Sequence, residues 1–219
     1  MGELGLSDLY KIEKEVPVKD KQGNEVKILM RTISDADKRE AREAGREARA
    51  DLLVKLEDPK SKESVLLRET LGKLSVESVK RELAIHKISS LAKRDEISNK
   101  IKSRDKFKNV AEDSEEFLLA MDDAVDKEVS KIAANLKGSS DVLKKELQEI
   151  KVNLMLDSIF VEAFNELVLL YAIRDKANPD NPLFETVQGM TKCFRGDIRE
   201  QLRVGYYNLD SKDADDVKK

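Results

Sequence analysis

Between Asp141 and Lys176 the chain holds neither glycine nor proline, and its apolar residues recur at a spacing near 3.5. Leu143, Leu147, Ile150, Leu154, Val161, Phe164, Val168 and Tyr171 mark one face. In the later half Leu156, Ile159, Ala163, Leu167 and Leu170 mark another. A helix apolar on two faces has to be enclosed by other elements. The pattern therefore predicts a mainly α fold, a helical bundle around this long central helix. Asp157, Glu162, Asn165 and Glu166 within it argue against a membrane span.

Composition narrows the class further. Of 219 residues, 39% are charged, against about 25% in average soluble domains. Nine Gly and four Pro leave little to break helices. The 41 basic and 44 acidic residues give a net charge of −3, so no global field draws the chain to nucleic acid or an anionic membrane. Cys193 is the single cysteine and cannot form an internal disulfide, which fits a reducing cytoplasm. Met1 to Asp8 carries no basic or apolar run of the secretory kind.

Before the central helix, Lys14–Lys19 and Glu25–Arg31 flank the turn cluster Asp20-Lys21-Gln22-Gly23-Asn24. This spacing predicts a small N-terminal β-hairpin, with Pro17 marking the first strand as an edge. Val16, Val18, Val26 and Ile28 are its candidates for packing on helices. Ser34 with Asp37 three positions later imitates a capping box and opens a helix that Asp58-Pro59 stops. That helix carries a narrow stripe, Ala41, Ala44 and Ala48, where another helix of this chain or a partner can dock closely.

From about 63 to 137 the chain reads as helices with charged faces. Val76, Val79 and Leu83 form one stripe, and Leu118, Met121, Val125, Val129, Ile132 and Leu136 another. Between them Lys93 to Lys108 is nearly all polar apart from Ile97, Ile101 and Phe107, and reads as a solvent-bridging helix or a mobile linker. After the central helix come the Asn178-Pro179-Asp180-Asn181-Pro182 loop, a short helix near Val187 to Met190, and a last helix over 197–209. The organisation expected is hairpin plus helix (1–58), charged helical insertion (59–138), C-terminal helical core (139–210) and disordered tail (211–219).

Chemistry-bearing constellations are sparse. One His and one Cys do not make a zinc site; His86 reads as a packed or solvent-facing residue and Cys193 as a buried thiol. No phosphate-binding glycine loop or nucleophile elbow occurs. No catalytic residue, metal or cofactor is expected. The basic run Lys100 to Lys108 is the one stretch suited to touching phosphates, with Phe107 able to stack on a base, but acidic residues flank it on both sides.

Two stretches carry a family resemblance. Leu169-Leu170-Tyr171-Ala172-Ile173-Arg174-Asp175 leads through the Pro/Asp loop into Leu183-Phe184-Glu185, the short Val187-Gln188-Gly189-Met190 helix, and Arg199 to Leu209. The hairpin Val16 to Met30 leads into the capped, charged segment Thr32 to Glu40. This arrangement resembles the tail assembly chaperones of long-tailed bacteriophages. The charged stretch from Pro59 to Gly138 departs from compact members of that family.

The resemblance implies a non-enzymatic assembly factor in the host cytoplasm. Such a factor binds the tape-measure protein, keeps it soluble until tube protein polymerises around it, and then leaves. Tail tube protein is a further partner it implies, and self-association is also open. Alternatives are a structural or scaffolding virion protein and a helical nucleic-acid-associated regulator. For partner binding, Val187, Met190 and Tyr207 are the first candidates and Ala41, Ala44 and Ala48 the second. The competing reading of the first set is that it completes the domain core.

Overall fold

A computed structural model describes residues 12–19, 23–89 and 91–216, with side chains left undescribed for Leu91 and residues 211–216. Two strands, β1 (Glu13–Lys19) and β2 (Glu25–Arg31), precede helices α1 (Asp35–Glu57), α2 (Lys62–Gly72), α3 (Val76–Ile88), α4 (Leu91–Lys102), α5 (Glu115–Asn135), α6 (Ser140–Ala172), α7 (Val187–Cys193) and α8 (Gly196–Asp216). A 3-10 turn at Asp105–Phe107 lies between α4 and α5. The fold is mainly α with a small N-terminal antiparallel hairpin.

Local chemistry sets most helix starts. The Ser34 hydroxyl accepts from the Asp37 N–H at 3.2 Å while Asp37 accepts from the Ser34 N–H at 3.1 Å, the reciprocal pair of a capping box. Ser61, Ser75, Ser114 and Thr186 cap α2, α3, α5 and α7 in the same way, each accepting an N–H three residues on. Each cap satisfies one of the donors that the first helical turn leaves without a partner.

The chain divides into two compact units, 1–54 with 155–219, and 55–154. The divisions fall inside α1 and α6, whereas reading the sequence puts them at 58/59 and 138/139.

In the first unit, Val16, Val18, Met30, Ala41, Val168, Leu169, Ala172, Ile173, Met190, Leu202, Tyr206 and Leu209 form one continuous buried cluster. Fully burying a side chain such as Leu202 contributes about 1.5–3 kcal/mol. The hairpin pairs Val16 with Ile28 and Val18 with Val26. Val16 and Val18 are buried and Ile28 half-buried, but Val26 is exposed: it is level with Val18 along the hairpin but stands on β2, while α8 packs chiefly on β1.

The central helix ends at Ala172, four residues earlier than its sequence pattern suggests. Ile173 and Arg174 leave the helix to pair with β2: Ile173 bridges Met30, and the Arg174 N–H donates to the Leu29 carbonyl at 3.0 Å. Arg174 then bridges Pro182, which folds the Pro/Asp loop back on itself. Tertiary pairing replaces the last helical turn. Leu154 and Val161, expected inward, are half-exposed, so the middle of the helix is covered on one side only.

In the second unit, Ala84, Ile88, Ile97, Ile101, Phe107, Phe117 and Val129 form a second core. The segment from Lys93 to Lys108 is therefore neither a solvent-bridging helix nor a linker. Its three isolated apolar residues, Ile97, Ile101 and Phe107, are all buried, and Phe107 meets Phe117 edge-on at 6.2 Å. On α5 Met121, Val125, Val129 and Ile132 of the expected stripe pack into this core, but its first member, Leu118, is half-exposed and Phe117 is buried in its place. At the C-terminus α8 runs to Asp216, so most of the expected disordered tail is helical backbone; 217–219 lie outside the described residues. Cys193, expected to be buried, is exposed at the end of α7.

Candidate partner-binding surface

The residues singled out for partner binding all belong to the first unit, and its construction decides which of them reach the surface. Helix α8 lies against the hairpin with Leu202, Tyr206 and Leu209 inward. Gly205 permits this approach, since a Cβ there would overlap the Val16 Cγ1 methyl. The Gln201 side chain accepts from the Lys19 N–H at 2.8 Å and donates to the Lys19 carbonyl at 3.2 Å. Lys38 on α1 donates to Asp210 at 2.9 Å, and Arg199 forms a mostly buried ion pair with Glu166 on α6.

These contacts also manage the free edge of the hairpin. The Thr32 N–H donates to the Ile12 carbonyl, so Lys14, Val16 and Val18 turn their backbone groups toward β2 and the intervening residues turn theirs away. Of the outward residues Pro17 has no N–H, and Lys19 is taken by Gln201. A strand protected this way resists pairing with another chain.

Helix α1 docks on α6 through a small-residue face. Ala41 is fully buried, and a Cβ on Gly45 would stand 2.8 Å from Phe160 Cδ2 and 3.0 Å from the Phe160 carbonyl oxygen. Arg49 pairs with Asp157 at 3.4 Å along the same contact. Of the Ala41, Ala44 and Ala48 stripe, Ala41 is thus engaged within the chain, while Ala44 and Ala48 are half-buried.

Met190 has no exposed surface, and Val187 packs against the same core. Phe184 and Phe194 meet edge-on at 5.3 Å and bracket α7. Met190 therefore completes the core and does not line a groove. Tyr207 does stand outward, half-exposed, but its hydroxyl donates to Asn165 Oδ1 at 2.7 Å on α6. Ala41 and Met190 offer no surface in this conformation. Tyr207 is the first-choice candidate with an open face.

Val204, not selected from the sequence, is exposed three residues before Tyr207. It lines a cleft of about 620 Å³ between α8 and β1, together with Val16, Pro17 and Gly205 at its apolar side and Lys14, Asp197 and Glu200 at its polar side. The signal that could have found it is Val204 itself, an apolar residue off the inward row of the last helix.

Electrostatics beside this unit concentrate at the loop that closes it. Arg31 and Arg174 are both buried. Burial, and then the neighbouring Arg31 charge, push Arg174 below the ordinary arginine range. Asp180 lies 3.4 Å from Arg31, and the Asp180 carbonyl accepts from Arg174 at 3.4 Å, so the Pro/Asp loop supplies the pair with acceptors. Lys176 at 2.8 Å holds the Glu15 carboxyl below its usual range and ties the loop to β1. Tyr171 is pushed up to about 12 by burial and by the Glu40 carboxylate. Among the described residues no group of three or more His, Cys, Asp or Glu is placed to hold a metal ion, and no helix is long and apolar enough to cross a membrane.

Comparison with protein-family models, with curated proteins and with solved structures gives no match.

Proposed function

We propose that this chain is a non-enzymatic phage tail assembly chaperone that binds a tape-measure protein in the host cytoplasm and keeps it soluble during tail assembly. One observation carries the reading. The separate stretches that bear the resemblance, hairpin, capped helix and C-terminal segment, pack into one unit with one core, while the whole of the charged stretch that departs from the family falls in the other.

Such a protein needs apolar surface that it can offer without aggregating itself. Val204 and the Tyr207 ring on α8 face outward, and Lys14, Asp197 and Glu200 line the same cleft as Val204. The turn end of the β1 edge is blocked by Pro17 and Gln201, which favours recognition through side chains over strand addition. An amphipathic helix of the partner suits that surface.

The nucleic-acid reading of Lys100 to Lys108 loses ground on geometry. Lys100 pairs with Glu96 at 2.6 Å, Lys106 with Glu116 at 2.6 Å, Lys108 with Asp105 at 2.7 Å, and Lys102 with Glu112. Four of the run's five basic residues already have acidic partners.

Co-expression with a cognate tape-measure protein tests the proposal. The expected result is a higher soluble yield of the partner and a complex that survives size-exclusion chromatography. Unchanged yield and separate elution would count decisively against it.

A further inference from the structure

Helices α4 and α5 bring a second set of basic side chains together, distinct in arrangement from the linear run Lys100 to Lys108. Lys93, Lys100 and Arg104 recur at seven and four residues along α4 and continue onto its C-terminal turn. Lys127 and Lys131 are one turn apart on α5. All five line one cleft of about 250 Å³, whose remaining lining includes Ile97, Ile101 and Ala124 and only two carboxylates, Glu96 and Glu128.

Charge does not balance there. Glu96 is shared by Lys93 at 2.9 Å and Lys100 at 2.6 Å, so one negative charge serves two positive ones. Glu128 approaches Lys131 at 3.7 Å, and Lys127 turns to Asp123 at 2.5 Å, outside the lining. Arg104 has no ion-pair partner among the described residues. Two or three positive charges remain over, in a chain whose net charge is −3. Gathering like charges costs free energy that a bound anion recovers, and a low-dielectric floor such as Ile97 and Ile101 strengthens the attraction.

We propose that the α4–α5 cleft binds a compact oligoanion, two or three linked phosphates. The class follows from size and charge. The volume falls below the range of about 300–1,000 Å³ typical of drug-sized ligands, so a ligand has to carry several charges on few atoms. Ammonium and guanidinium donors from two helices suit phosphate oxygens, with Arg104 able to engage two at once. This site lies in the unit that the chaperone reading does not use, so it stands or falls independently of that reading.

Calorimetric titration of the full chain at low salt with tripolyphosphate, pyrophosphate and orthophosphate, at matched ionic strength, tests it. Tripolyphosphate is expected to bind saturably at one per chain and roughly tenfold tighter than orthophosphate, on the scale of one added charge-assisted contact. The double variant Lys100→Gln/Lys127→Gln should lose about tenfold or more of that affinity, and Lys192→Gln, in the other unit, none. Arg104→Gln serves as an independent variant if the double variant has lost its helical circular dichroism. Equal affinity for the three anions, or undiminished binding by folded variants, would overturn the proposal. Tighter binding of a single-stranded oligonucleotide than of tripolyphosphate, abolished by the same substitutions, would also overturn it, in favour of an extended ligand.

Discussion

Gly205 and Gly72 show how differently one residue type can matter. Gly205 sits where α8 meets β1, and any Cβ there meets Val16. Gly205→Ala is expected to cost about 1–3 kcal/mol, as overpacking in a close-packed contact does. Gly72 closes α2 with nothing within 4 Å of a Cβ, so Gly72→Ala should gain about 0.5 kcal/mol by lowering the entropy of the unfolded chain. Thermal unfolding of the two variants against the parent checks both signs. Tyr171 gives a pH signature. Its hydroxyl is raised from 10.0 to about 12 in the folded chain. A raised acid favours the folded state fully below the unfolded value, and the advantage is lost as pH rises through the folded one. The stability of the parent relative to Tyr171→Phe should therefore fall between pH 10 and 12, measured by urea unfolding at each pH. A flat difference would mean that Glu40 and burial do not act on this group.

At the scale of elements, α4 is the informative case. Read from its residues it lacks an apolar face. Packed against α3 and α5, it buries Ile97 and Ile101, and the turn after it buries Phe107. Few apolar residues are enough when each one enters a shared core. Ile101→Ala should cost about 2–4 kcal/mol, the range for a fully buried large-to-small change, whereas a solvated linker would show almost none. Hydrogen exchange provides a second readout: amides of α4 should exchange slowly, as those of a packed element do. The end of α6 makes the complementary point. Leu167 to Ala172 continues a helical pattern, yet Ile173 and Arg174 serve β2, whose Leu29 carbonyl would otherwise lack this donor.

For the whole molecule, stability and partner binding separate by residue. Met190 lies in the core that joins hairpin, α6, α7 and α8. Met190→Ser should cost about 2–5 kcal/mol, since it removes buried volume and introduces a hydroxyl. Val204→Asp, on the open side of α8, should change stability by less than about 0.5 kcal/mol and reduce capture of a tape-measure protein in the co-expression experiment. Loss of folding by Val204→Asp, or undiminished capture, would remove this surface from consideration. The numerous surface ion pairs contribute little to the balance, about 0–1 kcal/mol each. The two buried clusters carry the stability.

Much of this architecture could be read from residues close together in the chain. Ser34 with Asp37, the Asp58-Pro59 stop, the Gly23 turn and the apolar spacing from Leu143 onward are local signals, and each produced the element expected because backbone geometry and capping act within a few residues. What lay beyond the sequence was which apolar residues find a neighbour. Nothing local distinguishes Val18 from Val26, Phe117 from Leu118, or Met190 from Val204, yet the first of each pair is buried and the second exposed. Nor does spacing alone announce that Lys93, Lys100 and Arg104 will face Lys127 and Lys131 across a cleft. Periodicity gives a helix its faces, but burial is a property of two surfaces, and only tertiary packing supplies the second.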